Sequence, residues 1–280
     1  MNNDISKISS LGRPLNFSYK TNLIIAGLTF VSIIFAFLFF ILYEDYSFFE
    51  ALLEGAYFGI SLFLSWAITR EIDPDRNVSA FVSVTIAFIF LIFFPAQELL
   101  LLFWLLLNLR LVNQIVGKEA TILDGIIILA FSAFFSFDGF PLIVLLSAAA
   151  FIIDGLLDVK NRKSFILAVL ASALFIYSLF NFSALSGPQN YLFIISLIFV
   201  SIPLISSSSK IKSKADLSDK KLNPRRIQAA QIFILMLILT VNFSKIALEE
   251  IIPAISAVSG AAIYFILKKI LKVKVDISDK

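Results

Sequence analysis

The stretch Asn22–Tyr43, NLIIAGLTFVSIIFAFLFFILY, contains no charged side chain. A single helix needs about 20 apolar residues to cross a hydrocarbon layer of about 30 Å, and this run supplies them. It has no alternation of period two, so a membrane β-strand is not a competing reading. Only Tyr43-Glu44-Asp45 follows it. With no small-residue cleavage site there, the run reads as an uncleaved signal anchor.

Outward from it the pattern repeats. Apolar runs lie at Phe48–Ile68, Val78–Phe94, Leu99–Val116, Ile122–Phe137, Leu142–Ile153, Phe165–Phe180, Tyr191–Ile205, Ile227–Phe243 and Ile251–Leu267. The expected fold is all-α: a polytopic transmembrane helical bundle of about ten spans. Composition agrees. Hydrophobic residues make up 59% of the 280, charged residues 15%, and Phe alone has 31 copies. The mean hydropathy is +0.95. A soluble chain carries about 25% charged residues. A soluble domain of this size leaves too much surface in water to hide such an excess.

The cations test the segmentation independently. Lys7, Arg13 and Lys20 precede the first span, and the turns after spans two, four, six and eight hold further Lys and Arg. The alternate turns hold none, apart from Lys245. The last tail holds five. Twenty-two of the 23 cations therefore fall on one side. The positive-inside rule makes that side cytoplasmic, with both termini inside and the protein in the cell membrane. The expected organisation is a tail over 1–21, eight spans over 22–205, a basic flexible loop over 206–226, two spans over 227–267 and a basic tail over 268–280. The seven cations from Lys210 to Arg226 would favour anionic lipid heads.

One pair of runs is short. Thirteen residues separate Asp124 from Asp138, and fifteen separate Asp138 from Asp154. At about 1.5 Å per residue these reach roughly 20–23 Å. Residues 122–153 either cross with local thinning of the bilayer or re-enter as a hairpin, leaving eight spans. Both alternatives preserve the charge alternation.

With no Cys and no His, disulfides, thiol nucleophiles, thiolate zinc sites and imidazole catalysis are excluded. A metal would be a hard cation held by oxygen, such as Mg²⁺. The net charge of +3 gives no nucleic-acid footprint.

Four polar clusters stand out. In Arg70–Asn77, Pro74 stiffens the turn, and Asp73, Asp75 and Arg76 read either as a solvated cap network or as a metal-facing carboxylate pair. Asp154 and Asp158 are spaced i, i+4 on one face, with Lys160, Arg162 and Lys163 beyond; such a pair suits Mg²⁺-bridged diphosphate. Arg110 lies about 18 Å into its span, with Asn108 and Asn113 nearby, and Asp124 is the expected partner of this buried cation. Glu54, one turn after Glu50, is an intramembrane candidate for proton or cation binding, or for pairing with Lys245. Elsewhere, Ser256-x-x-x-Gly260 is a small-residue stripe for close helix contact. Gln228 and Gln231 share a face and can bond a neighbouring helix.

This layout resembles the UbiA superfamily of membrane prenyltransferases. Those proteins are all-helical, with Asp-rich cytoplasmic loops after the second and sixth helices. Asp154-Gly-Leu-Leu-Asp158 followed by Arg162-Lys163-Ser164 is similar to the family's second motif. The resemblance implies Mg²⁺ held by Asp154 and Asp158, an isoprenyl diphosphate, and Lys163 on phosphate. The family's first motif, N-D-x-x-D-x-x-x-D, is replaced here by Asp73-Pro74-Asp75. Three functions remain open: a cytoplasmic-face site for a lipid or isoprenoid phosphate with Mg²⁺, a ten-helix small-molecule transporter, and a structural or accessory membrane protein.

Overall fold

The computed structural model describes residues 9–13, 15–157, 161–180, 187–218 and 220–271. They form ten α-helices: α1 (Lys20–Tyr43), α2 (Phe48–Ile72), α3 (Asn77–Leu91), α4 (Leu99–Asn113), α5 (Ile122–Phe137), α6 (Leu142–Leu156), α7 (Arg162–Leu179), α8 (Tyr191–Ser207), α9 (Pro224–Val241) and α10 (Ile252–Leu271). Short 3₁₀ turns at Ser208–Lys210 and Leu248–Ile251 flank the last two. Each helix coincides with one of the apolar runs. Six, counting the 3₁₀ turns that extend α8 and α10, are long and apolar enough to cross a membrane: α1, α2, α7, α8, α9 and α10. The other four have 15 or 16 residues, about 22–24 Å at the helical rise.

Local chemistry sets the helix starts. Ser47 and Glu50 form a capping box on α2, and Thr121 and Asp124 form one on α5. Asn161, Asn190 and Asn223 cap α7, α8 and α9 through their side chains, and Pro224 takes the first turn of α9. In each case an exposed backbone N–H at the helix start gains an acceptor. Gln114 ends α4 in the left-handed region, φ 49°.

Around the central α4 stand α2, α5, α6 and α9. Nearly all of α4 is buried, including Trp104, Leu105, Asn108 and Leu109, so it meets protein on almost every side and a short helix suffices there. α10 closes the bundle against α2, α3 and α8. α1 packs on α2, and α7 packs on α6 and α5, leaving outward faces rich in large apolar groups such as Phe30, Val31, Leu42, Ile166 and Val169. Such a continuous apolar exterior needs an apolar solvent.

Small residues allow the close approaches. A Cβ on Gly260 would lie 2.6 Å from both the backbone N and Cα of Ser83, so α10 and α3 touch backbone to backbone. This is the stripe expected at Ser256 and Gly260. A second stripe, unforeseen, runs along α2: a Cβ on Gly55 would lie 2.8 Å from the carbonyl of Ile33 on α1, and one on Gly59 3.0 Å from the carbonyl of Thr29.

The loop over 206–226 departs from the flexible linker expected. Ala215 N–H donates to Lys220 O, Leu222 N–H to Ser213 O, and Lys214 and Lys221 form an isolated antiparallel bridge. Leu222 is buried with Ile115 and Ile227 under Ile211 and Ala215. Asp216 and Leu217 N–H bond to the carbonyls of Ile115 and Val116. A handful of apolar side chains turns this polar-looking stretch into a hairpin seated on the end of α4. Among the described residues that bridge is the only β-structure.

Candidate functional site

α2 and α4 run side by side and end at the same level, so the last turns of both present their side chains to each other. Arg110 Nε donates to Glu71 Oε1 at 3.0 Å. Asn113 Nδ2 donates to Glu71 Oε2 and to the Glu71 carbonyl, each at 2.9 Å. Both Glu71 and Asn113 are buried, at 1% exposure each. Arg110 thus finds its carboxylate on α2, not at Asp124 as expected. The reason is that α2 continues to Ile72, past the end of the apolar run, and turns Glu71 inward where the sequence suggested a solvated loop.

The segment Ser9–Arg13 lies over this pair. Arg110 Nη1 donates to the Leu11 carbonyl at 2.9 Å, and Arg13 Nη1 approaches Glu71 Oε1 at 3.5 Å. Arg13 Nε also pairs with Asp216 of the hairpin at 2.7 Å. Burial works against the Arg13 charge, but Glu71 and Asp216 outweigh it and hold the guanidinium above its ordinary value. Asp124 is buried and takes Ser9 Oγ at 2.5 Å, Ser10 Oγ and N–H at 3.0 Å, and the Thr121 N–H at 2.9 Å.

A second buried pair lies beside the first. Arg226, in the first turn of α9, donates Nη1 to Asp154 Oδ1 at 3.2 Å and to the Val112 carbonyl at 2.9 Å. Its Nη2 reaches the Asp154 carbonyl at 3.3 Å. Gln114 Nε2 donates to Asp154 Oδ1 at 2.6 Å, and Ser164 Oγ to Oδ2 at 2.5 Å. Asp154 therefore has both carboxylate oxygens and its carbonyl turned to donors, one of them a guanidinium. That arrangement does not fit Mg²⁺, which needs free carboxylate oxygens facing it. Asp158 lies outside the described residues, as does Lys160. Arg162 and Lys163 are exposed at the start of α7. Among the described residues no three His, Cys, Asp or Glu side chains gather as metal ligands.

The 70–77 turn forms a rim to the layer. Asp73 is buried and receives Arg76 Nε at 2.8 and 3.0 Å. Burial pushes its carboxyl above the usual range, against the pull of Arg76. The Arg76 guanidinium also lies 4.9 Å from the Phe265 ring centre, a favourable cation–π placement. Asp75 accepts from the backbone N–H groups of Lys212 and Ser213 and from Ser213 Oγ, fastening the hairpin. Arg70 bonds to Asn77 across the turn. Asp73 and Asp75 thus serve different partners and do not face a common point.

No family model matches the chain, and neither does any curated protein or solved structure. What the site can do must come from its own geometry.

Below the layer, polar groups continue toward the bundle centre. Trp104 Nε1 donates to Ser132 Oγ at 2.9 Å and Ser147 Oγ at 3.1 Å, joining α4, α5 and α6. Asn108 Nδ2 donates to the Trp104 carbonyl, while its Oδ1 and the Ser65 Oγ of α2 are buried without a partner. Gln231 reaches the Ile72 carbonyl and Ser208, and Gln228 the Ile205 carbonyl, as expected of a face bonding to neighbours. Glu54 stands apart, half-buried on α2, and no ion pair joins it to Lys245. Sequence reading brought forward Arg110, Asn113, Asp124 and Asp154, all of which meet at this end. It missed Glu71, Gln114, Asp216 and Arg226 as site residues, because each reads as an ordinary loop or helix-end charge or amide.

Proposed function

We propose that the chain is a ten-span small-molecule carrier with both termini in the cytoplasm, closed on that side by the ion-paired layer. The carrying observation is the pair of buried ion pairs, Glu71–Arg110 and Asp154–Arg226, each joining separate helices. Burying two charges takes them from water at a penalty that their attraction roughly repays. Well-packed apolar groups would close the bundle at least as stably. A buried pair between helices is suited instead to a contact that forms and breaks, and ionisable groups inside a membrane protein mark such moving parts. The opposite end is laced differently. There Glu98 N–H bonds to the Glu250 carbonyl, Gln97 to the Glu249 carbonyl and Gln189 to the Ile246 carbonyl, all backbone or amide bonds.

The sidedness rests on the sequence, in which 22 of the 23 cations fall in the two tails and the alternate turns, the turns next to Glu71, Arg110, Asp154 and Arg226. Ten crossings, in place of eight with a hairpin, are supported by α6 and α9. Asp154, near the end of α6, meets Arg226 at the start of α9. Leu142, at the start of α6, lines one apolar cleft with Thr240, next to the end of α9. α6 therefore matches the depth of a helix long enough to span. The exposed Lys212, Lys220 and Lys221 of the hairpin and Arg225 of α9 face anionic lipid heads in this orientation.

The chain has no cysteine, so Ser65→Cys introduces a single buried thiol beneath the layer. In inside-out vesicles a membrane-impermeant maleimide should label it slowly, and faster when Glu71→Gln weakens the layer. An uptake screen in proteoliposomes should then yield a compound whose transport Arg110→Ala abolishes. A thiol indifferent to Glu71→Gln, together with uptake indifferent to Arg110→Ala, would remove the carrier reading.

A further inference from the structure

Five residues near the start of the chain are bound more tightly than a surface tail needs to be. Leu11 is 4% exposed and belongs to the main apolar core. Its carbonyl takes Arg110 Nη1. Ser9 and Ser10 occupy both oxygens of Asp124. Arg13 spans Glu71 and Asp216. The segment therefore ties α5, α4, α2 and the hairpin together across the ion-paired layer, with contacts to positions more than 100 residues away in sequence.

We propose that Ser9–Arg13 is an autoinhibitory strap, which must leave the layer before the cytoplasmic side can open. The inference rests on the carrier reading above and adds its regulation. The strap is the weaker of the two locks. It belongs to no helix or sheet. Its terminal ion pair has side chains 26% and 35% exposed, so water and salt screen it and it contributes little. The Glu71–Arg110 pair beneath is 2% and 15% exposed and is screened far less. Release therefore proceeds from Arg13 inward: the Asp216 contact opens first, then Leu11 leaves Arg110 short of one acceptor, and Asp124 loses its three donors from the segment. A protein with the strap removed retains Glu71–Arg110 but not the clamp holding α5 to that pair.

Two single thiols separate the steps. Ser10→Cys, at a position 3% exposed, reads strap release; Ser65→Cys, at a position 0% exposed, reads opening of the layer. Both are followed as rates of maleimide labelling of the full chain in inside-out vesicles. In Arg13→Ala, and separately in Asp216→Asn, both thiols should react about two- to fivefold faster, the gain of a minor open state when a partly exposed ion pair is lost. Arg13→Lys, which keeps the charge, should restore slow labelling. Equal Ser10→Cys rates in parent and variants would overturn the strap, and so would a faster Ser10→Cys beside an unchanged Ser65→Cys. If Glu71→Gln alone exposes Ser65→Cys, the strap fails while the carrier reading stands. If neither Glu71→Gln nor the strap variants expose it, the strap fails, and with uptake also indifferent to Arg110→Ala the carrier reading fails too.

Discussion

Arg226 has only 3% of its side chain exposed, and its carboxylate partner Asp154 has none. Two such charges far from water are tolerable only together, since removing one leaves the other desolvated and unpaired. Asp154→Asn should therefore lower stability in detergent by about 3–5 kcal/mol, seen as a fall in the thermal midpoint. Arg226→Met should do comparable harm. The double variant Asp154→Leu/Arg226→Met should recover most of the loss, giving a strongly non-additive cycle. Additive losses would mean the pair is not coupled. At this scale the sequence was partly legible. Asp154 was visible as a charge closing an apolar run, and so were Arg110 and Asp124. Their partners were not, because a carboxylate at a helix end looks the same whether it faces water or a guanidinium. Glu71 is the sharpest case: it stands one residue from Arg70, yet Arg70 faces the 74–77 turn and Glu71 faces α4. The helix carried on to Ile72 sets the two side chains about 100° apart, and that step separates their fates.

The helices themselves were the most legible level, because unbroken apolar runs between charged turns leave few other solutions in lipid. What the runs did not reveal was how the helices meet. Glycine decides two of those contacts, and a paired experiment exposes the rule. Gly260→Ala places a Cβ against the Ser83 backbone at 2.6 Å, so α3 and α10 must part; overpacking of this kind costs about 1–3 kcal/mol. Gly27→Ala on α1 meets nothing within 4 Å. It should be neutral, or slightly stabilising through helix propensity. Melting both variants beside the parent checks the contrast. Equal midpoints would mean that α10 does not approach α3 so closely. The hairpin over 211–222 shows where sequence reading falls short at this scale. Its Lys and Ser content argues for a mobile linker, but Ile211, Leu222 and Ile227 close on Ile115 across more than 90 residues. No local pattern carries that contact.

Seen whole, the molecule has two unlike ends. One gathers Arg13, Arg76, Arg110 and Arg226 with their carboxylates, and the other is held by glutamine and backbone bonds. Charge placement carries the proposed orientation, but it leaves one topological question to geometry, because the turn between α5 and α6 carries no cation at all. If both helices cross, Asp138 emerges on the far side. If they re-enter, it stops within the membrane. The pairing of α6 with α9 argues for crossing, with Asp154 against Arg226 at one end and Leu142 and Thr240 lining one cleft toward the other. The test uses single thiols at exposed positions: Asp138→Cys in question, Glu44→Cys as the far-side standard and Lys212→Cys as the cytoplasmic standard. In sealed right-side-out vesicles an impermeant maleimide should label Asp138→Cys with Glu44→Cys, leaving Lys212→Cys untouched until the membrane is opened. A thiol at 138 that stays dark while Glu44→Cys is labelled would reduce the bundle to eight crossings. It would also put Ser132 and Ser147, which accept from Trp104 Nε1 of α4, on the two legs of a re-entrant loop, where a carrier would have its substrate path in place of a packed wall.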